Sequence, residues 1–148
     1  MKTTTEEIRD LILTKIQNLT DNDSPGNAVF GEVFGYGQGD FKSYPVAVVR
    51  PTGGFGEEID THRNERTFTF DVSLYQEQTD AGKNKSEANQ KMIEAADLVT
   101  TMFDEDKDLG GEVQNVKVVK FNYDFKVSAG TYIFATYQVE VRVVVKNY

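Results

Sequence analysis

Cysteine is absent from this chain, and histidine occurs once, at His62. The first absence excludes disulfides, thiol nucleophiles and cysteine-based zinc sites together, and the second excludes histidine-rich metal sites. Basic residues are few: 16 Lys and Arg against 24 Asp and Glu, a net charge of −8. Binding to a nucleic-acid backbone needs clustered Lys and Arg to release counterions, and here they are scattered and outnumbered. No apolar run approaches the ~20 residues needed to span a bilayer. Met1 to Asp10 is polar and acidic, unlike a signal core. The expectation is a soluble, cytoplasmic, acidic protein with one domain over residues 1–148. A chain of this length buries enough surface to fold without staples.

What is present is patterned. Residues 116–127 and 132–145 form two long alternating runs hinged at Ser128-Ala129-Gly130. Ile133, Ala135, Tyr137, Val139, Val141, Val143 and Val145 share one face, the period-2 mark of a half-buried strand. A typical strand has about 5–6 residues, so arms of this length are expected to project beyond one small core. Val118 and Val119 break the alternation, which predicts a bulge. Upstream, Ile8, Leu11, Ile12, Ile16 and Leu19 follow helical spacing over residues 5–19. Thr3/Glu6 or Thr4/Glu7 can form its capping box. A strand is expected over 28–34, then a glycine-spaced loop at 34–41. Val46 to Arg50 is a continuously apolar strand, opened by Pro45 and ended by Pro51, and its two buried faces place it inside the sheet. Residues 53–63 are expected to form a long loop. Phe68, Phe70, Val72 and Leu74 then alternate with Thr67, Thr69, Asp71 and Ser73 as a clear strand. Ser86 caps a second helix carrying Ala88, Met92, Ala95, Ala96, Val99 and Met102 or Phe103. The order α-β-β-β-α-β-β predicts an α+β fold: a mostly antiparallel twisted sheet, two helices on one face, and a long C-terminal β-hairpin.

Candidate chemistry is sparse. Gly35, Gly37 and Gly39 have the wrong spacing for a dinucleotide fingerprint, and no helix follows. Asp104, Asp106 and Asp108 alternate as in a calcium loop, but Leu109 stands where the sharp turn wants glycine and Asn115 where a bidentate glutamate belongs. A solvated helix end outranks the metal reading. His62 lies in a polar loop with no nucleophile-elbow pattern, and Glu57 and Glu58 read as solvated acids. No enzyme and no cofactor is expected. Loop 53–66 is notable for another reason: Phe55 and Ile59 are apolar residues flanked by charges of both signs. Packing back on the domain competes there with a subunit contact. The candidate interface residues are Phe55, Ile59, His62, Arg63 and Arg66, with Tyr132 and Phe134 of the C-terminal arm.

Three stretches, in this order and spacing, carry a resemblance: YPVAVVRPTG at 44–53, NERTFTFDVSLYQE at 64–77 and DLVTTMFDEDKDLGGEV at 97–113. With the amphipathic N-terminal helix, nearly the whole chain resembles the tail terminator (tail-completion, tail-to-head joining) proteins of long-tailed bacteriophages. The resemblance implies an α+β subunit that closes into a hexameric ring in the tail-neck region of the virion, assembled in the host cytoplasm. Such a ring caps the tail-tube protein, stops its growth and meets the head connector or neck protein. It implies no catalytic residue, and no interface residue is carried over. An acidic lumen would let DNA slide through without specific binding, since carboxylates repel phosphates. A neck adaptor or capsid-proximal completion protein is the alternative, and a small ligand-binding or enzymatic domain ranks behind both.

Overall fold

The computed structural model describes residues 3–20, 27–36, 45–60, 63–77, 82–128 and 132–146. Its elements run α1 (Thr5–Gln17), β1 (Glu32–Phe34), β2 (Val46–Asp60), β3 (Arg63–Glu77), α2 (Gly82–Glu105), β4 (Asn115–Ser128) and β5 (Tyr132–Lys146). One sheet holds the strands in the order β1-β2-β3-β5-β4. Only β1 and β2 are parallel; the other pairings are antiparallel. The fold is α+β, and the sheet is not closed into a barrel.

Helix α1 begins at Thr4, whose extended backbone and side chain make the cap: its Oγ1 accepts from the Glu7 amide at 3.3 Å. The Thr4/Glu7 box forms, the hydroxyl donating to the Glu7 carboxylate at 2.8 Å. Ile8, Ile12 and Ile16, one turn apart, are buried against the sheet. The helix stops at Gln17, short of the expected residue 19, because the Leu19 amide turns back to Ile16 O. Leu19 and Thr20 then pair with Val29 and Ala28. That pairing occupies half of the strand expected over 28–34, which shrinks to Glu32–Phe34.

Helix α1 lies over β1 and β2, while α2 lies over β3, β4 and β5. Between helices and sheet sits one core, to which β5 contributes Ala135, Tyr137, Val139, Val141 and Val143 and β3 contributes Phe70, Val72 and Leu74. Full burial of each large apolar side chain stabilises by roughly 1.5–3 kcal/mol. Phe103, not Met102, closes the apolar stripe of α2. The bulge expected at Val118 and Val119 is present: the β4 register shifts between Val118 and Lys120.

Helix α2 begins at Gly82, so Ser86 lies inside it and is not its cap. A larger expectation also fails. Residues 53–60 are not a loop, because β2 runs through Pro51 to Asp60 paired with β3; Thr61 and His62 lie outside the described residues. Proline is tolerated on edge strands and at bulges, and Pro51 sits where the register shifts and beyond Val48, the last residue paired with β1. Gly53 supplies the unusual φ of 138° that the irregularity needs. The expected loop is the distal arm of a β2–β3 hairpin.

Candidate functional site

The features without an internal role gather on the rims of the sheet. Strand β2 is exposed at every residue from Arg50 to Ile59. Phe55 and Ile59 are 63% and 46% exposed, large apolar residues that the core does not claim. One of the glycines before Phe55 lets the two strands approach. A Cβ on Gly54 would collide with the Thr67 carbonyl oxygen of β3, so glycine is required for the close approach of the strands. Pro51, Gly54, Gly56, Phe68 and Arg66 line a shallow trough of about 370 Å³ beside Thr5 at the start of α1.

The sheet does not bring all the candidate residues together. Phe55, Ile59, Arg63 and Arg66 share the distal hairpin, where Phe55 is opposite Thr67 and Gly56 is opposite Arg66. Arg63 and Arg66 are both exposed. Tyr132 and Phe134 pair through their backbones with Glu77 and Tyr75, at the other end of β3. Eight residues of strand, roughly 26 Å, separate Thr67 from Tyr75. The side chains of Tyr132 and Phe134, and His62 altogether, lie outside the described residues. The seven candidates therefore fall in two places, and only the distal-hairpin group can act as one surface.

The second exposed rim is the outer edge of the C-terminal hairpin, whose exposed apolar residues the sequence reading did not name among the interface candidates. Strand β4 ends the sheet, and among the described residues no strand covers its outer edge. It carries Val119 at 45% and Phe121 at 50% exposure. Phe121 stacks on Tyr137 at 5.8 Å and meets Tyr123 edge-on at 6.0 Å, so a partly open aromatic row lies beside that edge. Lys117 and Lys120 project from the same strand, opposite Glu140 and Gln138. The phase slip at Val118 and Val119 was the available signal, since a bulge turns a residue out of the alternation.

The acidic segment is occupied by the chain's own cation. Asp106 Oδ2 meets Lys15 Nζ at 2.6 Å and its Oδ1 accepts from the Gly110 amide at 2.9 Å. The Lys15 hydrogen bond, ahead of the Gly110 amide, holds the Asp106 carboxyl below its usual range. Leu109 is buried with a left-handed φ of 48°, followed by Gly110 and Gly111 at 73° and 84°. The turn is thus shaped to bury Leu109 and to tie α2 to α1. Asp104 and Asp108 are exposed, and among the described residues no three acidic or histidine side chains converge as a metal would require.

Deep in the core, the Tyr137 hydroxyl donates to Ala96 O at 2.6 Å and lies 3.1 Å from Thr100 Oγ1. Burial pushes its pKa up to about 12. This locks α2 to β5. With the geometry of both rims in view, comparison with known proteins adds nothing to it: no family model and no curated protein matches this chain.

Proposed function

We propose that this chain is a structural virion protein that self-associates into a hexameric ring, caps a phage tail tube, ends its polymerisation and joins the tail to the head connector. The observation that carries the proposal is the pair of 15-residue strands β2 and β3, whose distal arm leaves Phe55 and Ile59 in solvent. Unpaired strand edges and exposed apolar residues are adhesive, and a subunit that keeps them is built to be completed by a neighbour. The resemblance of residues 44–53, 64–77 and 97–113 to tail terminators supports the same reading. The net charge of −8 suits a lumen that DNA crosses without being held. The ring would act in the tail-neck region after assembly in the host cytoplasm, with no cofactor and no catalysis.

The test compares particles assembled with and without the protein by electron microscopy. Overlong tubes in its absence support the terminator; normal tails detached from heads would replace it with a neck adaptor. Phe55→Asp and Ile59→Asp are expected to leave the thermal unfolding of the subunit within about 0.5 kcal/mol of the parent, as exposed substitutions do. They are expected to abolish tube capping. Val139→Asp, which places an unpaired charge in the core, is the control that unfolds. Loop-like behaviour of the two arm variants, with capping retained, overturns the role of the arm.

A further inference from the structure

We infer that the outer edge of β4 in one copy pairs, antiparallel, with the outer edge of distal β2 in the next copy, so that the sheet runs continuously from subunit to subunit. This deepens the ring reading by naming the two surfaces that meet. Both edges are long and open. β1 covers β2 only from Val46 to Val48, which leaves Val49 to Asp60 unpaired on that side among the described residues. β4 is a terminal strand of 14 residues. Continuing the observed strand directions past β4 sets the neighbour's β2 antiparallel to it.

Charge selects this partner over the alternatives. Distal β2 bears Glu57 and Glu58, both exposed, whereas β4 bears Lys117 and Lys120, also exposed. Phe55 and Glu57, opposite Thr67 and Glu65, lie on the sheet face away from the helices, while Glu58, opposite Asn64, lies on the other face and Ile59 sits in the register shift between Glu58 and Asp60. Lys117 and Lys120 lie on the same face as Phe55 and Glu57, in register with Glu140 and Gln138. In a continuous sheet the acidic side of one edge therefore meets the basic side of the other. Edge charges are a common guard against aggregation. A guard works with like charges on both edges; here the like charges within each edge repel self-pairing, β4 with β4 or β2 with β2, and the opposite signs of the two edges favour the mixed contact. A mixed contact is head-to-tail, and head-to-tail contacts close into rings when the rotation allows. The apolar residues follow the same division: among the described residues, four of the six large exposed ones are Phe55 and Ile59 on β2 and Val119 and Phe121 on β4.

The full chain offers a clean test, because it contains no cysteine. Val119→Cys and Phe55→Cys chains are mixed at low salt and treated with a flexible bismaleimide. The expected product is the 119–55 heterodimer, well above the one-half share that random pairing gives, with few homodimers. Adding Glu57→Lys and Glu58→Lys to the Phe55→Cys chain is expected to cut the heterodimer about tenfold, and Lys117→Glu with Lys120→Glu on its partner to restore it. A statistical mixture, or no covalent dimer, overturns the edge pairing. Light scattering and tube capping by the parent protein separate the two proposals. An assembly that caps tubes without 119–55 linkage keeps the ring and refutes these edges. Linkage without capping supports the edges and refutes the terminator.

Discussion

Replacing Tyr137 by Phe removes one hydroxyl from the core and leaves the ring in place. The lost hydroxyl donates to Ala96 O at 2.6 Å, but that carbonyl keeps Thr100 Oγ1 at 3.0 Å, so no buried acceptor is orphaned. The expected cost at pH 7 is about 1 kcal/mol, the net worth of one hydrogen bond. That corresponds to a fall of about 4 °C in Tm for a domain of this size. The pH dependence is the sharper consequence. Burial raises the phenol from its ordinary value of 10.0 to about 12. A raised folded-state pKa contributes stability that is complete below the unfolded value and is lost as pH rises through the folded one. At pH 11, one unit above the first value and one below the second, the parent has lost about 1.4 kcal/mol of that contribution. The Phe variant has nothing to lose there. Its stability curve should cross the parent's at about pH 10.7 and lie a few tenths of a kcal/mol above it at pH 11. Urea unfolding followed by circular dichroism at pH 7, 9 and 11 measures this. A stability difference that stays constant across that range would refute the claim that Tyr137 is held un-ionised by burial.

Two further outcomes follow from the site geometry. Asp106→Asn removes the partner of Lys15 and is expected to cost about 0.2–1 kcal/mol at pH 7, as a surface ion pair does. Because the folded carboxyl sits below 3.8, that contribution is present above pH 3.8 and fades as pH falls through the depressed value, so the Tm difference between variant and parent should shrink as pH is lowered below 3.8. Gly54→Ala sets a methyl against the Thr67 carbonyl and is expected to loosen the distal hairpin, costing about 1–3 kcal/mol. Amide exchange should speed up around Phe55 to Glu58 while Val72 and Val139 keep their protection; unchanged exchange in the arm would refute the close approach.

Which parts of this fold could be read from residues alone follows from what side-chain periodicity reports. It reports burial. Ile8, Ile12 and Ile16, the alternation of Phe68 to Leu74, and the run from Ala135 to Val143 were all legible because each side chain chooses between core and solvent within its own subunit. Even the bulge at Val119 showed, as a slip in that choice. The distal arm of β2 gave no such signal: Gly53, Gly54, Phe55, Gly56, Glu57, Glu58 and Ile59 are all exposed, and the strand is held by backbone pairing to β3, which leaves no alternation of apolar side chains. With Pro51 ahead of it and glycine throughout, the segment satisfies every rule for a loop. The candidate residues were found within it only because Phe55 and Ile59 are too apolar for one. Those two facts have one cause. A strand whose side chains meet nothing inside the subunit is under no internal pressure toward alternation, and the apolar residues it still carries answer to a surface outside. The same reasoning accounts for the miss at β4, where Phe121 keeps the inward phase but remains half open beside an unpaired edge.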